Sequence, residues 1–187
     1  MKKIVTFYGQ PGCGKSTQAQ ILAEKYGFFK FGMGERLREE AESGSDLGKK
    51  IAPYLSAGTL IPDDLMREII KNIGQKSGPQ GIIFDGFPRI VSQAEMLAEI
   101  ALELGWGVGN FFYLRLKPEQ ALQRIMARAK ISSREDDVSP EAINNRFAVF
   151  ERESKPLLEY YRAQNKLIEV DASLDIVGMQ TEIKKNL

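Results

Sequence analysis

Residues Gly9-Gln10-Pro11-Gly12-Cys13-Gly14-Lys15-Ser16 spell G-x-x-x-x-G-K-[ST] in full. The octet lies between an apolar, β-branched run at 4–8 and a segment with helical spacing at 15–26. A strand that turns through a Gly-rich loop into a helix is the context that gives this motif its meaning. The glycines let the backbone curl so that successive N–H groups point inward, and the helix N-terminus adds partial positive charge. Such a hollow is built for phosphate. Gly9, Gly12, Cys13 and Gly14 would form it, Lys15 would reach the β- and γ-phosphates of a nucleotide, and Ser16 or Thr17 would bring a hydroxyl to Mg2+. An ordinary Gly-rich turn ahead of a capped helix is the competing reading, and motif and context together speak against it. Cys13 reads as a small filler rather than a redox-sensitive thiol.

A strand–loop–helix opening constrains the rest of the chain. Further strand-like runs occur at 28–31, 82–84, 110–116 and 166–170, and helical patterns at 92–104, 118–130, 140–164 and 174–185. Ser139-Pro140 supplies a cap and a first-turn proline for the longest of these. Five short apolar strands alternating with helices predict an α/β fold, a five-stranded parallel sheet sandwiched by helices, in one domain over 1–187. Two stretches break the rhythm. Residues 32–73 hold consecutive helical patterns without a strand, and 130–138 is polar. Insertions of this kind in an α/β protein are lids or substrate-binding elements.

Composition removes several chemistries. The 187 residues include one cysteine and no histidine. Disulfides within the chain, His-ligated metals, a Ser–His–Asp triad and a histidine general base are therefore excluded. Lys and Arg total 26 against 25 Asp and Glu, a net charge of +1, which argues against a broad nucleic-acid-binding face. The basic start lacks the long apolar run of a secretory signal, and no stretch has membrane-spanning length without charge. A cytoplasmic monomer is the expectation.

A second phosphate-binding element comes after the run at 82–84, namely Asp85-Gly86-Phe87-Pro88-Arg89. A carboxylate at the C-terminal end of a buried parallel strand faces the ligand crevice and can hold Mg2+ through water. Gly86 permits close backbone approach, and Pro88 stiffens the turn that aims Arg89. Arg124 and Arg128 lie four apart, on one helix face.

Gly9–Thr17 together with Asp85–Arg89 resembles the adenylate kinases and their UMP/CMP kinase relatives, and the likeness covers nearly the whole chain. Phe31-Gly32-Met33-Gly34-Glu35-Arg36-Leu37-Arg38 is similar to the segment that opens the family's monophosphate-binding insertion. Gly58-Thr59-Leu60-Ile61-Pro62 is similar to the segment that closes it. The resemblance implies an insertion over 32–61 for the acceptor and a short lid over 124–138 for ATP. By the same resemblance Arg38 and Arg89 clamp the acceptor's α-phosphate, backbone near Thr59 and Ile61 approaches its base, and Gln93 hydrogen-bonds it. Arg124 would pack beside the ATP adenine, with Arg128, Arg134 and Arg146 around the transferring group. Asp136 and Asp137 would position arginines or hinge the lid. The short lid lacks the cysteines that hold zinc in some long-lid members.

The implied activity is phosphoryl transfer from ATP to a nucleoside monophosphate, ATP + AMP = 2 ADP, with Mg2+. Positioning and charge neutralisation dominate such chemistry, so the missing histidine is no obstacle. Departures bear on the acceptor base. Ser16 stands where the family has Gly, Met33 and Ile90 where Thr is frequent, and Glu35 where UMP/CMP kinases often carry Glu. Gln93 leans the other way, since pyrimidine-specific members carry Asn near that place. A UMP/CMP or other monophosphate kinase is the alternative, and a non-catalytic ATP-binding module the rival from another class. No N-K-x-D guanine signature supports a GTPase.

Overall fold

The computed structural model describes residues 1–71, 78–129 and 139–187. Strand β1 (Lys3–Tyr8) is central. It pairs in parallel with β3 (Gly81–Asp85) on one side and β4 (Gly107–Arg115) on the other. Outside these lie β2 (Phe29–Gly32) and β5 (Leu167–Asp171), giving the order β2-β3-β1-β4-β5. Both β1 and β3 are near-continuous buried runs, as strands covered on both faces must be. Along β1 the side chains alternate between layers. Val5 and Phe7 join Leu22, Ile83, Phe112 and Met179, whereas Tyr8 joins Phe111, Leu157 and Tyr161 on the opposite side.

The helices cover both faces: α1 (Lys15–Tyr26), α2 (Met33–Glu42), α3 (Asp46–Ala57), α4 (Asp63–Lys71), α5 (Val91–Glu103), α6 (Pro118–Ala129), α7 (Pro140–Ala163) and α8 (Ile176–Lys184). Among the described residues α2, α3 and α4 succeed one another with no strand between them, as their patterning predicts. The Ser45 hydroxyl starts α3 by accepting from Gly48 N at 2.8 Å. Ser139 does the same for α7 with Ala142 N at 3.3 Å. Residues 130–138, part of the lid expected over 124–138 and holding Arg134, Asp136 and Asp137, lie outside the described residues.

Two boundaries differ from the sequence expectation by more than one residue. Strand β4 begins at Gly107 rather than 110, because Gly107 and Gly109 hide it from a β-propensity reading. Its register against β1 shifts between Ile4 and Thr6. A Cβ at Gly109 would stand 3.0 Å from Ile4 O, so the strands approach closely there. Helix α8 begins at Ile176 because Asp175 is extended and its carboxylate accepts from Gly178 N at 2.7 Å.

Helix α1 leads from β1 toward β2 and β3 on one side, whereas the chain crosses to β4 on the other through α5. The carboxyl ends of β1 and β3 therefore border the crevice at which open α/β sheets bind ligands.

Candidate active site

The loop after β1 has a shape that side chains would block. Gly9 has φ 149°, and a Cβ there would fall 2.6 Å from Leu114 O. Gly12 has φ 83°, with a Cβ 2.5 Å from Ala121 O of α6. The loop is tied from within and below. Cys13 N donates to Gln10 O at 3.2 Å, and Lys15 Nζ donates to the same oxygen at 3.4 Å. The buried Gln10 amide donates to Leu116 O at 2.9 Å, fixing the loop to the end of β4. Cys13 is wholly buried among Ala19, Leu22 and Phe112, the packing expected of a filler.

A cleft of about 870 Å³, solvent at its mouth included, opens above this loop. The loop contributes Gly12, Lys15 and Ser16 to it, and the turn after β3 contributes Asp85, Gly86 and Arg89. Arg38 of α2, Thr59, Arg128 of α6 and Arg146 of α7 complete the walls. Arginines separated by long stretches of chain thus share one cavity with the loop lysine. Ser16 lines it, whereas Thr17 is exposed.

Arg89 is the most crowded cation. Its Nε donates to Gly86 O at 3.1 Å. Burial, then the charge of Arg146, and more weakly Arg38, pull its pKa below the ordinary arginine value, while Tyr8 and Asp85 act in the opposite sense. Like charges held together in partial burial are relieved by a polyanion. Asp85 is 7% exposed, and its Oδ1 has no hydrogen-bond partner. Buried acceptors left unpaired are uncommon, and a cation or its water shell would satisfy this one.

Other sequence-predicted residues sit elsewhere. Gln93 is fully buried; its Oε1 accepts from Arg89 N at 2.9 Å, and its Nε2 has no partner. Met33 and Ile61 are buried in the core beside Phe31, Leu37 and Phe84, and neither side chain lines the cleft. Arg124 donates to Ala172 O at 3.0 Å, just after β5, and does not line the cleft. Gly14 caps α1 in the left-handed region, with φ 91°.

A family model described as adenylate kinase matches residues 7–166. The chain belongs to the adenylate kinase family. Its sheet order, phosphate loop and cationic cleft are thereby those of a phosphotransferase of the nucleoside monophosphate kinase class. An adenylate kinase of Bacteroides fragilis is 35% identical over 182 residues, spanning 97% of this chain and 96% of that protein. One from Thermus thermophilus is 37% identical over 167 residues, 89% of this chain and 87% of its own. One from a Synechococcus strain is 35% identical over the full length of both.

Within this adenylate kinase fold, several residues that line the site belong to no motif in the sequence. Lys30 and Tyr54 line the cleft, with Lys30 Nζ 3.8 Å from the Glu35 carboxylate. Tyr8, Phe150 and Glu153 line an adjoining chamber with Gly9, Lys15, Arg89 and Arg146. The signal for Tyr8 is its place as the last residue of β1. For Phe150 and Glu153 it is their spacing of four and seven from Arg146 on α7.

Proposed function

We propose that this enzyme transfers the γ-phosphoryl group of ATP to AMP, reversibly, giving two ADP. The single observation that carries the reading is one cleft holding both the phosphate loop and the arginines of a second phosphate site. A module that only bound ATP would have no use for Arg38 and Arg89 on the far wall. In this reading Gly9, Gly12, Cys13, Gly14, Ser16 and Thr17 form the donor phosphate loop, and Lys15 spans the β- and γ-phosphates. Arg38 and Arg89 hold the acceptor phosphate beside Gly86. Arg128 and Arg146, with Arg134, neutralise charge as the phosphoryl group moves in line. Arg124, anchored at Ala172 O, walls the adenine of ATP. The insertion 32–61 covers the acceptor and the lid 124–138 covers ATP, excluding water that would hydrolyse it.

Mg2+ fits the residues present. Among the described residues no group of three or more acidic, His or Cys side chains could cage a metal. The unpaired Asp85 Oδ1 and the cleft-lining Ser16 hydroxyl suit a cation that takes one or two protein ligands and completes its shell with water and nucleotide phosphates. When bound, it would supply charge neutralisation on the phosphate oxygens. Near-neutral net charge supports small nucleotides rather than nucleic acid as partners. Cysteine usage supports a reducing, cytoplasmic setting. Both walls of the cleft come from one chain, so we take the working unit to be a monomer.

A second reading, with a base other than adenine as acceptor, has a specific observation behind it. Met33 is turned into the core while Lys30 and Glu35 line the acceptor wall, which leaves the base to groups other than a threonine at 33. Initial rates with Mg·ATP and a panel of AMP, dAMP, CMP, UMP and GMP, with a no-acceptor control, decide between them. Preference for AMP is expected. Preference for another base keeps the mechanism and changes the substrate, and no transfer by protein that binds ATP discards the kinase reading.

A further inference from the structure

One buried polar side chain of the phosphate loop belongs to no fixed position of the motif. Gln10 fills the first variable place of the octet. It is 4% exposed and lines neither the phosphate cleft nor the adjoining chamber. The residue is engaged at both ends. Its side-chain Nε2 donates to Leu116 O at 2.9 Å. Its own carbonyl oxygen accepts from Cys13 N at 3.2 Å and from Lys15 Nζ at 3.4 Å.

An apolar side chain would fill the same space without the cost of burying a carboxamide. What the amide adds is direction. Leu116 stands just past the end of β4 and two residues ahead of Pro118, which opens α6. Helix α6 carries Arg128 into the cleft. The same helix presses on the loop at Gly12, where a Cβ would fall 3.1 Å from Ile125 Cγ1. Packing at Gly12 sets how closely loop and helix approach, but contact alone resists sliding and rotation weakly. A hydrogen bond prefers one line and fixes both. Lys15 in turn is a point charge on a flexible stem, and its aim depends on what holds its head. Here that is the Gln10 carbonyl, part of the residue that the side-chain bond anchors.

We propose that Gln10 is a positioning residue of the donor site: its buried carboxamide locks the peptide that holds Lys15 to the junction of β4 and α6, keeping Lys15 and Arg128 at one spacing across the cleft. Gln10 itself touches no substrate. The inference rests on the proposed role of Lys15 on the donor phosphates.

The test uses Gln10→Met, which keeps length and bulk but cannot donate, and Gln10→Glu, which keeps the shape and offers a carboxylate in place of the donor. Each should lower kcat by roughly 5- to 50-fold, the range for a lost buried hydrogen bond felt in the transition state, with the acceptor KM within about twofold of wild type. Asn110→Leu is the stability control. It removes a tie of the same kind, from Asn110 Nδ2 to Asn186 O at 2.7 Å, near the other end of β4. It should lower the thermal midpoint yet leave kcat within about twofold. In a Lys15→Ala background, Gln10→Met should lower kcat no further. A kcat within about twofold of wild type in both Gln10 variants, an equal kcat loss from Asn110→Leu, a loss confined to the acceptor KM, or a full Gln10→Met effect persisting without Lys15 would each overturn the proposal. Failure of the Lys15 reading shows separately, as a Lys15→Ala single variant that keeps its kcat.

Discussion

The two halves of the cleft that we propose for donor and acceptor are built in opposite ways. The donor half is eight consecutive residues whose backbone has nowhere else to go. A Cβ at Gly9 or Gly12 would strike a carbonyl, and Gln10 is bonded to Leu116 beneath the loop. The acceptor half is assembled at a distance, with Arg38 on α2 and Arg89 in a turn after β3, and Arg146, proposed for the transferring group, reaches the same cleft from α7. Its geometry depends on helices docking, above all α3 against the start of α7, where a Cβ at Gly58 would fall 2.8 Å from Ala142 O. Local sterics fix one half and tertiary packing fixes the other.

The largest expected effect lies on the donor side. Lys15→Ala should lower kcat by about 1,000-fold or more, because it removes the loop cation that we propose for the transferring group. A folded variant with kcat within about tenfold of wild type would remove Lys15 from the mechanism. Backbone rigidity gives the next test. Gly12→Ala should cost about 3 kcal/mol or more in chemical denaturation, since it combines a left-handed backbone with a contact at 2.5 Å. Gly44→Ala, with φ 72° and nothing within 4 Å, should cost only about 1–2 kcal/mol. Equal losses would mean that the loop is no more constrained than a surface turn. On the acceptor side, Arg89→Ala should raise the acceptor KM about 10- to 100-fold while the ATP KM stays put, the loss of a charge-assisted contact. Unchanged acceptor kinetics would sink the assignment of that half.

The same division explains what is legible in the sequence. The phosphate loop and the strands β1 and β3 can be read because motif and burial are local properties. The arginines and their meeting can be named through family resemblance alone, since nothing in the spacing of Arg38, Arg89 and Arg146 says that they share a cavity. Met33 shows the limit most clearly. Its neighbours in the chain, Gly34 and Glu35, line the cleft, yet Met33 itself is 1% exposed inside the core. Which face of a helix turns inward is settled by packing against Phe31 and Phe84, and a motif match does not carry that information. Tyr8 is hidden for the converse reason. It reads as one more apolar residue of a buried strand, and only the placement of α7 gives it a chamber to line.

The smallest expected effect probes the docking itself. Asn145 Nδ2, on α7, donates to Ala57 O at the end of α3 at 2.9 Å, tying the acceptor insertion to the helix that carries Arg146. Both residues are exposed, so Asn145→Ala should remove less than a buried hydrogen bond is worth, about 0.5–1 kcal/mol. If the acceptor half owes its shape to docking, that loss should appear as a roughly two- to fivefold rise in the acceptor KM with the ATP KM unchanged, measured by initial rates. Asn145→Asp should do the same or more, because a carboxylate cannot donate to the carbonyl. An equal rise for ATP would mean that the tie stiffens the whole cleft, and the contrast between a locally fixed donor loop and a docked acceptor clamp would then fail.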